Sequence, residues 1–155
     1  MNYWRRYRLH FLACFLVLIT AAVWIFMDRW TPDEVTNAQH FRKAMLEVRG
    51  AIAYANGQGG IIDPAATEIL ISRYTAAAEH AGKVTNSVIA KLHPKLKKIW
   101  LEAFVPSTNL YLRALQDQDR DLARYAGQLQ DDWIRWLQLN GQDLDIPEPL
   151  EKVAP

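Results

Sequence analysis

The apolar positions of this chain follow two patterns, one after the other. Residues 9–27 contain no Asp, Glu, Lys or Arg, and a helix of about 20 apolar residues is long enough to cross the hydrocarbon core of a bilayer. From residue 38 onward, apolar residues instead recur at alternating spacings of three and four, which is the spacing of one helix face. The two patterns predict a transmembrane helix followed by an all-α domain.

The charges around the apolar run predict its orientation. Three arginines precede the run and one follows it next to an aspartate, and the more basic flank of a span stays in the cytoplasm. We therefore expect a single-pass inner (plasma) membrane protein with residues 1–8 in the cytoplasm and the rest of the chain outside it. Trp24, near the end of the run, and Trp30, after it, suit the outer interface. The residues that set this orientation are Arg5, Arg6, Arg8, Trp24 and Trp30.

Two kinds of processing compete with a retained anchor. A signal peptidase site at Thr20-Ala21-Ala22 would leave five apolar residues, 23–27, on the product, whereas a cleaved signal has a short apolar core that ends at its cleavage site. Phe11-Leu12-Ala13-Cys14 is a weak lipobox, because the longer half of the apolar run follows the cysteine. The pattern favours an intact anchor.

The chain beyond the anchor predicts an antiparallel up-down four-helix bundle over residues 28–141. Helix starts are marked by a capping box at Thr31-Pro32-Asp33-Glu34 and by Asp63-Pro64, and helix ends by glycine. The expected helices are Pro32 to Tyr54, Pro64 to Leu92, Lys95 to Gln116, and a fourth that passes through Leu122, Trp133 and Trp136 and ends at Asn140. Residues 142–155 are expected to form an acidic tail with three prolines.

Pro106 lies inside the third expected helix. A proline there removes one backbone hydrogen bond and clashes with the preceding turn. We expect a kink or a break, with Ser107 able to cap a restarted helix.

Composition excludes several classes of function. A net charge of +1 argues against a nucleic-acid-binding protein, which needs a basic excess to neutralise phosphates. Cys14 is the only cysteine, so neither an intrachain disulfide nor a cysteine-based metal site can form. Hydrophobic residues make up 50% and charged residues 23% of the chain, which is enough apolar material for a folded core.

No motif for catalysis, metal binding or cofactor binding stands out. No two of the four histidines lie three or four residues apart on one helix, as paired metal ligands on a helix do. The glycine loop Asn56-Gly57-Gln58-Gly59-Gly60 lacks the Lys-Ser/Thr pair of a phosphate loop. We therefore expect a protein that is not an enzyme and holds no cofactor or metal.

Two surfaces remain as candidates for binding. The first is a lysine cluster at the joint between the second and third helices, close to the predicted membrane surface, where basic side chains can contact anionic headgroups; an ordinary solvated loop is the alternative. The second is a partner-binding tip at the far end of the bundle. The cluster comprises Lys91, Lys95, Lys97 and Lys98, and the tip comprises Gly57, Gly59, Gly60 and Asp119.

These features favour a membrane-anchored, non-catalytic interaction or assembly module for another envelope protein. Eight cytoplasmic residues are too few for an output domain, so an external signal would have to pass through a membrane partner. The alternative is a bundle that binds a small molecule or senses one, in a cavity lined by Tyr74, Ala77 and Ala81. Self-association is a further option.

Overall fold

The computed structural model of the protein describes residues 30–58 and 63–148. Over these two ranges the chain forms helices joined by turns and no strand, so the all-α prediction is confirmed for this part of the chain. The elements are α1 (Pro32–Gly57), α2 (Pro64–Gly82), α3 (Asn86–Leu92), α4 (Leu96–Ile99), a π-helical segment (Trp100–Phe104), α5 (Val105–Asp117), α6 (Arg120–Asn140) and a 3-10 turn (Gly141–Asp143).

The predicted transmembrane helix over residues 9–27 lies outside the described ranges. Among the residues that are described, no helix combines the length and the apolarity needed to cross a bilayer. The anchor and its orientation therefore stay predictions from the sequence. Of the residues expected to set that orientation, Trp30 is described and half-buried, while Arg5, Arg6, Arg8 and Trp24 lie outside.

The four long helices form a helical bundle in which neighbours in sequence are neighbours in space. α1 packs along α2, α2 packs along α5, and α5 packs along α6. Such packing buries one apolar face of each amphipathic helix against the next. The short helices α3 and α4 carry the chain from α2 to α5.

The second expected helix, Pro64 to Leu92, is interrupted, and the prediction of one continuous helix is wrong there. α2 ends at Gly82, and the hydroxyl of Thr85 caps α3. The side chain of Asn37 in α1 bonds to the backbone between the two helices. Its Nδ2 donates to the Lys83 carbonyl oxygen at 2.6 Å, and its Oδ1 accepts from the Thr85 backbone N–H at 2.8 Å. The three-and-four spacing of apolar residues continues through the interruption, so periodicity alone could not reveal it.

Pro106 neither breaks the third helix nor makes Ser107 a cap. The chain runs from α4 through the π-helical segment into α5, and the Val105 backbone N–H donates to the Trp100 carbonyl oxygen, five residues back. This wider turn accommodates a residue that has no N–H to donate. The Ser107 hydroxyl is buried and donates to the Phe104 carbonyl oxygen at 2.9 Å.

Four aromatic side chains form the centre of the core. Trp100 stacks on Phe104 with ring centroids 4.3 Å apart, and Trp133 meets Phe104 edge-on at 4.9 Å. Phe41 of α1 contacts Trp100 at 4.9 Å. Each ring is at most 3% exposed. Large buried rings contribute most to core stability, so this aromatic cluster joins α1, the π-helical segment and α6.

Small residues allow α1 and α2 to approach closely. The three-and-four spacing along α1 predicts that Phe41, Met45, Val48 and Ile52 face the core. Phe41 and Val48 are buried, whereas Met45 and Ile52 are half-buried and the alanines before them, Ala44 and Ala51, are fully buried instead. These alanines let the two backbones come together.

Arg73 of α2 reaches across α1 at Gly50. A Cβ at Gly50 would lie 2.6 Å from Arg73 Nη1. The same Nη1 contacts Glu47 Oε2 at 3.2 Å. The absence of a side chain at Gly50 thus makes room for this ion pair.

The joint between α3 and α4 lies beside the first turn of α1. Lys91 Nζ pairs with Glu34 Oε2 at 2.8 Å. Part of the expected tail packs here too: the Asp145 N–H donates to the Leu92 carbonyl oxygen at 3.0 Å, and Gln39 Nε2 donates to the Pro147 carbonyl oxygen at 2.9 Å. The described part of the tail is therefore held against α1 and α3.

Candidate binding cleft

A cleft of about 910 Å³ opens at the end of the bundle opposite the first turn of α1. Its walls are the last turns of α1 and α5, the first half of α2 and the first half of α6. Clefts that bind small molecules have volumes of roughly 300–1,000 Å³, so this one is large enough for a ligand. We call it the tyrosine cleft. Its lining includes Ile52, Ala55, Asn56, Thr67, Leu70, Tyr74, Tyr111, Gln118, Asp119, Arg120, Ala123 and Gln130.

Three polar side chains from three helices form the deep part of the tyrosine cleft. Tyr74 of α2 stacks on Tyr111 of α5, with ring centroids 5.2 Å apart and planes inclined by 20°. Gln130 of α6 donates from Nε2 to the Tyr74 hydroxyl oxygen at 3.4 Å. Tyr74 is 4% and Gln130 6% exposed. These three side chains are the floor of the cleft.

The floor carries no net charge near neutral pH. Burial raises the pKa of Tyr74 to about 12, and the hydrogen bond from Gln130 opposes this only in part. Burial also raises the pKa of Tyr111, and the nearby carboxylate of Asp131 raises it further. Both phenols therefore stay protonated, and each can donate one hydrogen bond.

Gly127 of α6 determines how closely Tyr111 approaches that helix. A Cβ at position 127 would lie 3.0 Å from the Tyr111 hydroxyl oxygen, closer than ordinary van der Waals contact. Glycine is otherwise unfavourable inside a helix by about 1 kcal/mol relative to alanine. The close approach of the Tyr111 phenol explains why position 127 is a glycine.

The rim of the tyrosine cleft is exposed and polar. Gln118 ends α5 in the left-handed conformation, with φ of 55°. Asp119 caps α6: its Oδ1 accepts from the backbone N–H groups of Asp121 and Leu122 at 3.0 and 2.9 Å. Arg120 is exposed beside it. The charged groups of the cleft thus lie at its mouth, and the carboxylate among them is engaged as a helix cap.

The predicted partner-binding tip adjoins this rim. Asp119 lines the cleft together with Asn56, the residue before Gly57. Gly57 is exposed at the end of α1, and a Cβ there would meet no atom within 4 Å. Gly59 and Gly60 lie outside the described residues. The structure thus brings the two described members of the tip to one end of the bundle.

The predicted lysine cluster lies at the opposite end, where α1 begins. Lys91 is paired with Glu34, and Lys98 Nζ lies 3.9 Å from Glu102 Oε2 on an exposed surface. Lys95 and Lys97 are exposed. The carboxylates of Glu34 and Glu102 therefore offset part of the positive charge of the cluster.

The alanine-lined cavity expected along the second helix is absent from the described core. Ala77 is 0% and Ala81 5% exposed, and both are packed against neighbouring helices. Tyr74 is the one residue of that expected set that lines the tyrosine cleft. The tyrosine cleft therefore lies nearer the start of α2 than the cavity that the sequence predicted.

Tyr111 and Gln130 were missed by sequence reasoning. Gln130 follows Ala126 by four residues and precedes Trp133 by three, so it occupies the apolar face of its helix. A lone amide on an apolar face is the signal that could have drawn attention to it. No comparable signal marks Tyr111.

The structure brings together two histidines that the sequence spacing left apart. His40 of α1 and His80 of α2 have their Nδ1 atoms 3.0 Å from each other. Among the described residues, however, no three His, Cys, Asp or Glu side chains are arranged to hold a metal ion.

Comparisons of the chain with protein-family models, with curated proteins and with solved structures return no match. We therefore infer a function for this protein from the geometry and chemistry of the tyrosine cleft.

Proposed function

We propose that this protein is a membrane-anchored, extracytoplasmic binding module that holds a small ligand in the tyrosine cleft and acts through another protein of the envelope. The observation that carries the proposal is the cleft itself. It is of ligand size, it is bounded by four helices, and it has neutral hydrogen-bonding groups at its floor. Such a combination of apolar walls and a few polar groups is typical of binding sites.

The sequence supports the membrane location. The uncharged run over residues 9–27 and the arginines before it favour an anchor whose following domain faces away from the cytoplasm.

The chemistry of the cleft supports a role in binding rather than catalysis. General acid–base catalysis needs a group that exchanges a proton near the working pH. Tyr74 and Tyr111 stay protonated, and the Asp119 carboxylate accepts two backbone hydrogen bonds at the rim. These three side chains favour a site that binds a molecule without catalysing its reaction.

A segment of a partner protein is the second candidate occupant. The exposed rim residues Asn56, Gln118 and Arg120 lie at the mouth of the cleft, where they can contact an approaching chain. If a partner segment is the occupant, the protein is an assembly module and the cleft binds the partner directly.

Photocrosslinking from inside the cleft tests the proposal. A benzoylphenylalanine replaces Ala123, which lines the cleft, in the full-length protein in living cells. The control position is Leu139, which is 77% exposed near the end of α6. We expect a defined adduct from position 123 that is absent from position 139, and its mass separates a small ligand from a protein segment. Equal, diffuse labelling at both positions contradicts the proposal.

The orientation needs its own test. A reporter that is active only outside the cytoplasm, fused after residue 155, should be active. Activity of a cytoplasmic reporter at the same position instead refutes the predicted orientation.

A further inference from the structure

We infer that the tyrosine cleft recognises an uncharged, ring-shaped ligand bearing both hydrogen-bond donors and acceptors, the chemistry of an acetamido sugar. The inference rests on the proposed binding function and specifies its ligand class. It is carried by Gln130, whose amide lines the cleft and makes one hydrogen bond, to Tyr74, within the described part of the chain.

Gln130 has more hydrogen-bonding capacity than the protein satisfies. A glutamine amide offers two N–H donors and a carbonyl oxygen with two lone pairs. Within the described part of the chain, the side chain of Gln130 makes one hydrogen bond, to Tyr74 at 3.4 Å. Whichever end of the amide meets Tyr74, the other end remains for a molecule in the cleft. A ligand that can both donate and accept hydrogen bonds therefore fits this position.

The tyrosine hydroxyls also favour a ligand that both donates and accepts hydrogen bonds. Tyr111 Oη makes no hydrogen bond within the described ranges, and it lines the cleft. Because both phenols are protonated, each offers a donor together with acceptor lone pairs. The floor therefore presents neutral donors and acceptors from three helices, which matches a group of hydroxyls or an amide on the ligand.

None of the three side chains of the floor carries a charge that could pair with a charged ligand, and Asp131, whose carboxylate raises the pKa of Tyr111, is exposed and does not line the cleft. Asp119 and Arg120 are exposed at the mouth. Moving a charged group out of water without a partner is strongly unfavourable. A neutral ligand avoids this cost, and that requirement separates an acetamido sugar from its amino and acidic analogues.

The remaining lining suits the apolar face of a ring. Ile52, Leu70 and Leu115 contribute aliphatic surface, and the Tyr111 ring is half-buried. A sugar ring combines a hydrocarbon face with hydroxyls at its edge, so it can contact these side chains while its polar edge reaches Gln130. The acetamido group adds a donor and an acceptor side by side.

The test measures binding of four named probes to the full-length protein in nanodiscs by saturation-transfer NMR. The neutral probes are N-acetylglucosamine and its β-1,4-linked trimer, and the charged probes are glucosamine and glucuronate. We expect the neutral monosaccharide to bind with a Kd of about 1 mM, which is ordinary for so small a ligand. The charged probes should bind at least about tenfold more weakly, since desolvation of the charge is uncompensated. Tighter binding of the trimer indicates a glycan chain, and equal binding indicates a free sugar.

Two glutamines on α6 provide the decisive variant and its control. Gln130→Leu keeps the side chain's size and removes the amide, and it should weaken binding of N-acetylglucosamine at least about tenfold. Gln128→Leu changes an exposed glutamine two residues away and should leave binding unchanged. Gln130→Leu leaves the buried Tyr74 hydroxyl without this partner and should lower stability. Far-UV circular dichroism therefore first establishes that the variant is folded, and if it is not, Tyr111→Phe, which removes the second phenol hydroxyl of the floor, takes its place in the binding measurement.

The outcomes separate the ligand class from the proposed function. No binding of either neutral probe, preference for a charged probe, or equal binding by Gln130→Leu and the wild type overturns the inference. If a small-molecule adduct nevertheless forms at position 123, the binding function stands and only the ligand class is wrong. If that adduct is also absent, the small-ligand function itself is refuted.

Discussion

His40 and His80 face each other across α1 and α2 with their Nδ1 atoms 3.0 Å apart. Their ring centroids are 5.1 Å apart, so the two nitrogens point at one another almost head-on. One nitrogen must donate and the other accept, because two protonated nitrogens at this distance would repel each other. The pair therefore holds one proton between its rings and resists gaining a second there.

This arrangement predicts that the fold loses stability in mild acid. Burial, the neighbouring His80, and the charges of Lys83 and Lys43 lower the pKa of His40 below its usual 6.5. Between that lowered pKa and 6.5, the unfolded chain binds more protons than the folded one, so the free energy of unfolding falls as the pH falls. Above 6.5 the full contribution is present. Urea unfolding of the full-length protein in detergent micelles, at a series of pH values, measures the slope.

His40→Gln is the variant that assigns this slope. It removes the titrating group, so the dependence of the unfolding free energy on pH should become shallower below 6.5. An unchanged slope in His40→Gln contradicts the assignment to this pair.

Trp133 and Trp136 lie one turn apart on α6, and their substitutions should have unequal effects. Trp133 is 3% exposed inside the aromatic cluster, and truncating such a buried ring to alanine typically costs about 3–5 kcal/mol. Trp136 is half-buried, stacks on Trp133 at 5.9 Å and meets His93 edge-on at 5.3 Å. Trp136→Ala should therefore cost less than Trp133→Ala. Urea unfolding followed by circular dichroism compares them, and equal losses would place both rings in the same environment, contrary to the structure.

Asn37 should stabilise the interruption between α2 and α3. Asn37→Ala removes its bonds to the Lys83 carbonyl oxygen and the Thr85 N–H, and we expect a loss of about 1–2 kcal/mol. Hydrogen exchange at the Thr85 amide should accelerate. Asn109→Ala, on the exposed surface of α5, is the control and should change stability by less than about 0.5 kcal/mol. Equal exchange at Thr85 in both variants would show that Asn37 does not hold this turn.

Gly127 and Tyr111 should be energetically coupled. Gly127→Ala gains up to about 1 kcal/mol of helix propensity, but the new Cβ lies 3.0 Å from the Tyr111 hydroxyl oxygen. Tyr111→Phe removes that oxygen, so the alanine should stabilise the protein more in the Tyr111→Phe background than in the wild type. A double-mutant cycle measured by urea unfolding should give a coupling of about 0.5 kcal/mol or more. Gly82→Ala, where no atom lies within 4 Å of the added Cβ, should show none, and additive effects at Gly127 would contradict the close contact.

The helical regions could be predicted because their signals are local. A proline after a capping residue, as at Asp63-Pro64, acts through its own turn, and the structure has Asp63 as the cap of α2. Apolar spacing likewise predicted buried positions such as Phe41, Leu70 and Trp133. These features depend on residues within a turn or two of one another.

The interruption after Gly82 and the wide turn before Pro106 could not be predicted in detail. The first depends on Asn37, which lies 46 residues before Lys83 in the sequence. The wide turn before Pro106 is one of several ways in which a helix accommodates a proline. In this protein the wide turn is accompanied by the packing of Trp100 and Phe104 against Phe41 and Trp133. Tertiary contacts decide between backbone alternatives that are locally similar in energy.

By itself, the sequence of this protein determined that the chain from residue 32 onward is largely helical, where most of the helices begin and end, and that an uncharged run precedes them. Only the tertiary structure decided that Tyr74, Tyr111 and Gln130 share one cleft and that His40 meets His80. Helix signals arise from short-range backbone sterics and hydrogen bonds. A site that joins several helices depends on their relative rotation and spacing, which are set when all the side chains pack together.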